Sequence, residues 1–165
     1  MGLDKGNMAS KRNGAARATK RVPLTKVQLL PMDVASAREQ SLSYHLALDS
    51  WRRGHGNGRL VNELMRVTYI AWFLQQAGYG SEPVELFKLA EYAAEITLAQ
   101  AHNAGQTDAW TLDEDALPAF KSLLALHDAQ LATVPLHRFD DAKRQLMAFL
   151  HDSARSPIPV PDLAS

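Results

Sequence analysis

From about Asp33 to Arg53, the residues Ala37, Ser41, Tyr44, Leu48 and Trp51 recur at steps of three and four, the spacing of one helix face. Asp33 follows Pro31 and is placed to cap the start, and Gly54 suits the left-handed position just past the end. A second helix is expected from about Arg59 to Ala77; its "LVNELMRVTYIAWFLQQ" is apolar on most sides, which predicts a central helix or one that also faces a partner subunit. Gly78 and Gly80 close it. Ser81 then caps a third helix to about Asn103, with Pro83 tolerated in its first turn and Gly105 stopping it. In that helix Leu86, Leu89, Ala93 and Ile96 mark the expected dry face, and Glu85, Lys88, Glu91 and Glu95 the wet one.

"TLDE" at residues 111–114 matches a capping box and opens a fourth helix to about Thr133, with Pro118 expected to distort its early turns. Pro135 begins a fifth, striped by Phe139, Ala142, Leu146, Phe149 and Leu150 and ending near Ser153. No run of alternating β-branched residues bounded by turns offers a strand, and no solenoid-like repeat is evident. The fold class is therefore all-α, an antiparallel bundle of about five helices over residues 27–153. Two segments flank it. Residues 1–26 have almost nothing to bury and read as a disordered arm, and "SPIPVPDLAS" excludes a helix and reads as a loose, extended tail over 154–165.

Charge changes the picture. The 165 residues carry 18 basic and 18 acidic groups, yet residues 1–26 hold seven basic groups against one acidic, a net of +6. The rest of the chain, with eleven basic and seventeen acidic groups, is left at −6. Lys11, Arg12, Arg17, Lys20 and Arg21 of this arm are spaced to track a phosphate backbone by charge alone. The alternative is an arm that only solubilises, or that folds back on the acidic body. It has no aromatic residue for base stacking.

The stretch "WRRGHGNGR" sets Arg52, Arg53, His55 and Arg59 around Gly54, Gly56 and Gly58. Its glycine spacing fits neither Gly-x-Gly-x-x-Gly nor Gly-x4-Gly-Lys-Ser/Thr, so no nucleotide motif is present. Two readings stand: a helix cap and tight reversal, or a contact surface in which Arg52, Arg53 and Arg59 meet nucleic acid or an acidic partner beside the free N–H groups of the second helix. Met65, Ile70, Trp72 and Phe73 do not easily all face one core, which suggests an oligomer surface on that helix and a homodimer or protein partner.

Chemistry is sparse. Without cysteine there is no thiolate site, and His45, His55, His102, His127, His137 and His151 show neither His-Glu-x-x-His nor paired Glu-x-x-His, so no metal and no cofactor is expected. His45 lies four residues before Asp49 and His127 falls in an apolar stripe, so each is expected to be a partly buried residue with a hydrogen-bond partner. No Gly-x-Ser-x-Gly is present, and no enzyme is expected. "AWFLQQAGYGSEPVELFKLAEYAAE" has the outline of a helix-turn-helix, but its would-be recognition helix carries Glu82, Glu85 and Glu91 against a lone Lys88, which phosphates would repel. No secretory signal or membrane span is read, and a cytoplasmic setting is expected.

The run "SLSYHLALDSWRRGHGNGRLVNELMRVTYIAWFLQQAGYG", with "LALHDAQLATVPLHRF", resembles a group of small bacterial helical proteins often labelled Fis-family transcriptional regulators. The resemblance spans about residues 30–150 and implies a helical bacterial cytoplasmic protein linked to transcription. Fis-type proteins read DNA with a basic C-terminal helix-turn-helix. Here the C-terminus is "SPIPVPDLAS" and the last helix holds Asp140 and Asp141, so no DNA-reading residue carries over.

The functional expectation is a non-enzymatic, macromolecule-binding protein that contacts nucleic acid through the arm. The alternative is a protein-interaction module, adaptor or inhibitor, without nucleic-acid binding.

Overall fold

The computed structural model describes residues 20–152 and 155–162. Asp33 is extended and its carboxylate accepts the Ser36 N–H at 2.9 Å, which starts α1 (Val34–Arg52). Hydrogen bonding to Ser36 holds the Asp33 carboxyl below its ordinary range. Gly54, at φ +82°, turns the chain, and Asn57 caps α2 (Gly58–Gln76) by accepting the Leu60 N–H at 3.1 Å.

The turn into α3 (Val84–Ala104) works differently from the expectation. Pro83, not Ser81, is the N-cap residue, and no side chain caps this helix. Ser81 lies too early to reach the first turn; instead the Gln75 side chain donates to the Glu82 carbonyl and accepts the Glu82 N–H, each at 2.8 Å. One amide thus braces the reversal. Gly105, at φ +65°, ends α3 as expected.

A 3-10 turn (Glu114–Ala116) precedes α4 (Leu117–Thr133). Its cap is Asp113, which accepts the Asp115 N–H at 3.0 Å, so Thr111 does not open a capping box. Pro118 falls within the first turn of α4, where its missing N–H has no intrahelical partner to lose, and the turn just before it is 3-10 rather than α. After Val134 the chain enters α5 (Leu136–Asp152). Residues 25–30 form a turn against that start: the Leu30 carbonyl accepts the Leu136 N–H at 2.9 Å, and the Gln28 carbonyl accepts the His137 N–H at 3.0 Å.

Among the described residues there is no strand, only isolated bridges between Pro31 and Pro135 and between Gly56 and Trp110. The fold is an all-α helical bundle, and no helix among those residues is long and apolar enough to cross a membrane.

α2 is the axis, since α1, α3, α4 and α5 all pack on it. This accounts for its apolar surface. Ile70 (9% exposed) and Trp72 (7%) are buried in the chain's own two cores, and Met65 and Phe73 are half-buried against them. The expectation that these four side chains cannot share one chain's interior is corrected for Ile70 and Trp72, which the neighbouring helices bury, while Met65 and Phe73 stay partly exposed. The larger core is built around Trp51, Trp72, Phe87 and Phe120, with Trp51 edge-on to Phe120 at 5.2 Å and Trp72 edge-on to Phe87 at 5.1 Å. The smaller joins Leu74 and Ile70 to Leu131, Phe139 and Leu146.

Two further expectations change. On α3 Ala93 is buried as expected, but the rest of the buried stripe is Phe87, Ala90, Ala94 and Ala101; Leu89 is 50% exposed, and Glu91, read as wet, is only 6% exposed. Phe87 sets the register by filling the core beside Trp72, and small alanines let the helix approach closely. The tail is also not loose throughout, because Ile158 (1% exposed) inserts between its prolines into the larger core.

Between the helices, Gln130 fastens α4 to the end of α2. Its buried amide donates to the Ala71 carbonyl at 3.1 Å and the Tyr79 carbonyl at 2.9 Å, and its oxygen faces His127 Nδ1 at 3.2 Å. That geometry places the imidazole proton on Nδ1. Burial pushes the His127 pKa below its ordinary value.

Candidate functional site

The loop after α1 spends its backbone on the fold. Gly54 N–H bonds the Trp51 carbonyl at 3.2 Å, His55 N–H the Ser50 carbonyl at 2.8 Å and Gly56 N–H the Trp110 carbonyl at 2.9 Å. The Asn57 side chain takes the Leu60 N–H. These four N–H groups are thus engaged by the protein itself, and the capping reading accounts for Gly54 at its positive φ. Gly56 is demanded by contact: a Cβ there would lie 2.7 Å from Trp51 Cδ1 and 2.8 Å from the Trp110 carbonyl oxygen.

The loop's arginines do not converge. Arg53 pairs with Asp49 on its own helix at 2.9 Å, and Arg52 is exposed. Arg59 joins a different group. It lies two helical turns before Arg66 on one face of α2, a separation of about 10 Å along the axis, and both line a groove of about 650 Å³ between α1, α2 and α5. Lys143 of α5 supplies a third cation, Tyr44 and Gln40 of α1 form the opposite wall, and Val67 and Ile70 lie at the bottom.

The electrostatics of this groove are one-sided. Among the described residues, none of Arg59, Arg66 and Lys143 has a carboxylate oxygen within 4.0 Å. The groove's one carboxylate, Glu63, accepts a hydrogen bond from Ser43 at 3.2 Å. Burial, then the charge of Glu63, pushes the Tyr44 hydroxyl pKa up, and Arg66 partly opposes this. Three cations against one carboxylate leave a net positive groove on a body of formal charge −6. Such a site attracts anions, and multivalent anions most.

Other basic candidates fall elsewhere. Lys20 and Arg21 are exposed, and Arg21 lines a separate hollow of about 740 Å³ at the start of α5 with Arg138, Arg144, Asp140 and Asp141. There Asp141 pairs with both Arg138 and Arg144, so charge is largely compensated. Lys11, Arg12 and Arg17 lie outside the described residues. His45 is paired through Nε2 with Asp128 of α4 at 2.9 Å, not with Asp49, which Arg53 occupies. Among the described residues, no group of three His, Asp or Glu side chains is placed to hold a metal ion.

Sequence reading selected Arg59 but missed Arg66 and Lys143. Arg66 was open to detection, as the lone basic residue inside the apolar run of α2, seven positions after Arg59. Lys143 was not, because only the packing of α5 on α2 brings it alongside.

No family model, curated protein or solved structure matches this chain.

Proposed function

We propose that this protein is a non-enzymatic, transcription-associated nucleic-acid binder of the bacterial cytoplasm. In it the basic arm gives a diffuse electrostatic hold, and the groove of Arg59, Arg66 and Lys143 gives a fixed contact. The observation that carries the reading is three cations without carboxylate partners among the described residues, gathered by two helices on an otherwise acidic body. The +6 arm adds to it, since phosphate neutralisation releases counterions whatever the base sequence. The setting and the link to transcription rest on the resemblance to the Fis-labelled proteins and on a cysteine-free chain.

Fluorescence anisotropy of a labelled DNA duplex tests it, using the full chain and a chain lacking residues 1–26. The full chain should bind at low salt and lose affinity steeply as salt rises, and the shortened chain should bind more weakly while keeping a residue of affinity. Absence of binding by the full chain at low salt overturns the reading.

A protein-interaction module is the second reading. Val34, Leu42 and Leu46 are exposed large apolar side chains along α1, two of them bordering a groove with α4. A chain that ignores DNA yet self-associates or captures a partner through this face would favour it.

A further inference from the structure

α3 packs on α2 and α4, and α5 packs mainly on α2, so a trough of about 560 Å³ is left between α3 and α5 with α2 as its floor. Its volume lies within the range of small-molecule sites. It spans about two helical turns, or about 10 Å, from the level of Tyr69 and Glu91 to that of Asn62 and Leu98. Met65, Leu98, Leu146 and Leu150 give it apolar walls.

The polar groups in this trough are ordered. Glu91, almost fully buried, accepts the Tyr69 hydroxyl at 3.1 Å through one oxygen and pairs with Lys88 at 3.0 Å through the other. Its charge is matched, and it fixes the Tyr69 ring. That ring lies 5.1 Å from the Phe149 ring at 56°, so two aromatic side chains line the trough side by side. Glu95, one turn beyond Glu91, also lines it, and among the described residues has no cation within 4.0 Å. Burial, then Glu91 and Glu95, push the Tyr69 hydroxyl pKa well above its ordinary value. Arg66 stands at the rim, where it also lines the basic groove on the other side of α2.

An apolar trough with an aromatic pair and an unpaired carboxylate suits an organic cation, with Arg66 at the rim the one lining cation that opposes it. Ring faces attract cations, apolar walls accept a greasy body, and the carboxylate selects positive over negative charge. We propose that the α3–α5 trough binds a small lipophilic organic cation, its charged centre held between Glu95 and the Tyr69–Phe149 rings and its apolar body against Met65, Leu98, Leu146 and Leu150.

Tetraphenylphosphonium and tetraphenylborate, alike in size and shape and opposite in charge, provide the test by isothermal titration calorimetry on the full chain. The phosphonium should bind and the borate should bind more weakly or not at all. Glu95→Gln, at an exposed position that leaves the core intact, should weaken the phosphonium roughly threefold to fivefold. Phe149→Leu keeps apolar bulk but removes the ring, and should weaken it roughly tenfold. Borate binding as tight as phosphonium, or phosphonium affinity unchanged by Glu95→Gln, overturns the proposal.

Discussion

Gly56 shows how far a single residue's reason can lie from its neighbours in sequence. Its exchange of backbone hydrogen bonds with Trp110 joins the α1–α2 loop to the segment before α4, and any Cβ would press on Trp51. Gly56→Ala should therefore cost about 1–3 kcal/mol, as overpacking of a tight contact does, which urea unfolding can measure. A helix-breaking glycine was legible at Gly54; the constraint on Gly56 was not, because Trp110 comes from a distant segment. His127 makes a second case at this scale. An apolar stripe suggested a partly buried histidine with a hydrogen-bond partner; His127 is fully buried, and its partner Gln130 ties two helices together. Its folded pKa is depressed below the ordinary 6.5. The unfolded chain therefore takes a proton that the folded chain refuses, and stability falls as pH drops through 6.5 toward the folded value. One such proton gives a slope of up to about 1.4 kcal/mol per pH unit. Unfolding measured at pH 7.5 and 5.5 should show a smaller acid loss in His127→Gln than in the wild type; equal losses would remove His127 as the cause.

Within each element, the start and stop signals read from sequence were sound where capping is local. Asp33, Gly54 and Gly105 do what their types suggest. Asn57 was hidden between two glycines, and its replacement by Ala should cost about 1 kcal/mol of stability. α3 was misread because charged residues were taken to mark its wet side, and Glu91 breaks that rule by finding Tyr69 and Lys88 inside. Glu91→Ala should destabilise by about 2 kcal/mol, since it strips partners from partly buried groups, and Glu95→Ala should stay within about 0.5 kcal/mol. Equal effects in urea unfolding would mean that burial does not distinguish the two carboxylates.

Across the whole molecule, the bundle was legible because five segments carried helical periodicity with turn residues between them. The role of α2 was not fully so. Its all-round apolar surface allowed a central helix or one that also faces a partner, and the packing of four neighbours shows that it is central. The charge division was plain in the sequence as arm against body, but the body's own exception, the Arg59–Arg66–Lys143 groove, needed α5 laid along α2. This exception bears the functional claim, and the salt dependence of DNA binding probes it most directly. Binding of a duplex across a salt series, compared between the full chain and its Arg59→Ala, Arg66→Ala, Lys143→Ala triple variant, gives the slope of log affinity against log salt. If the groove holds phosphates, the variant's slope should be shallower by about 2 to 3. An unchanged slope and affinity in the variant would contradict it.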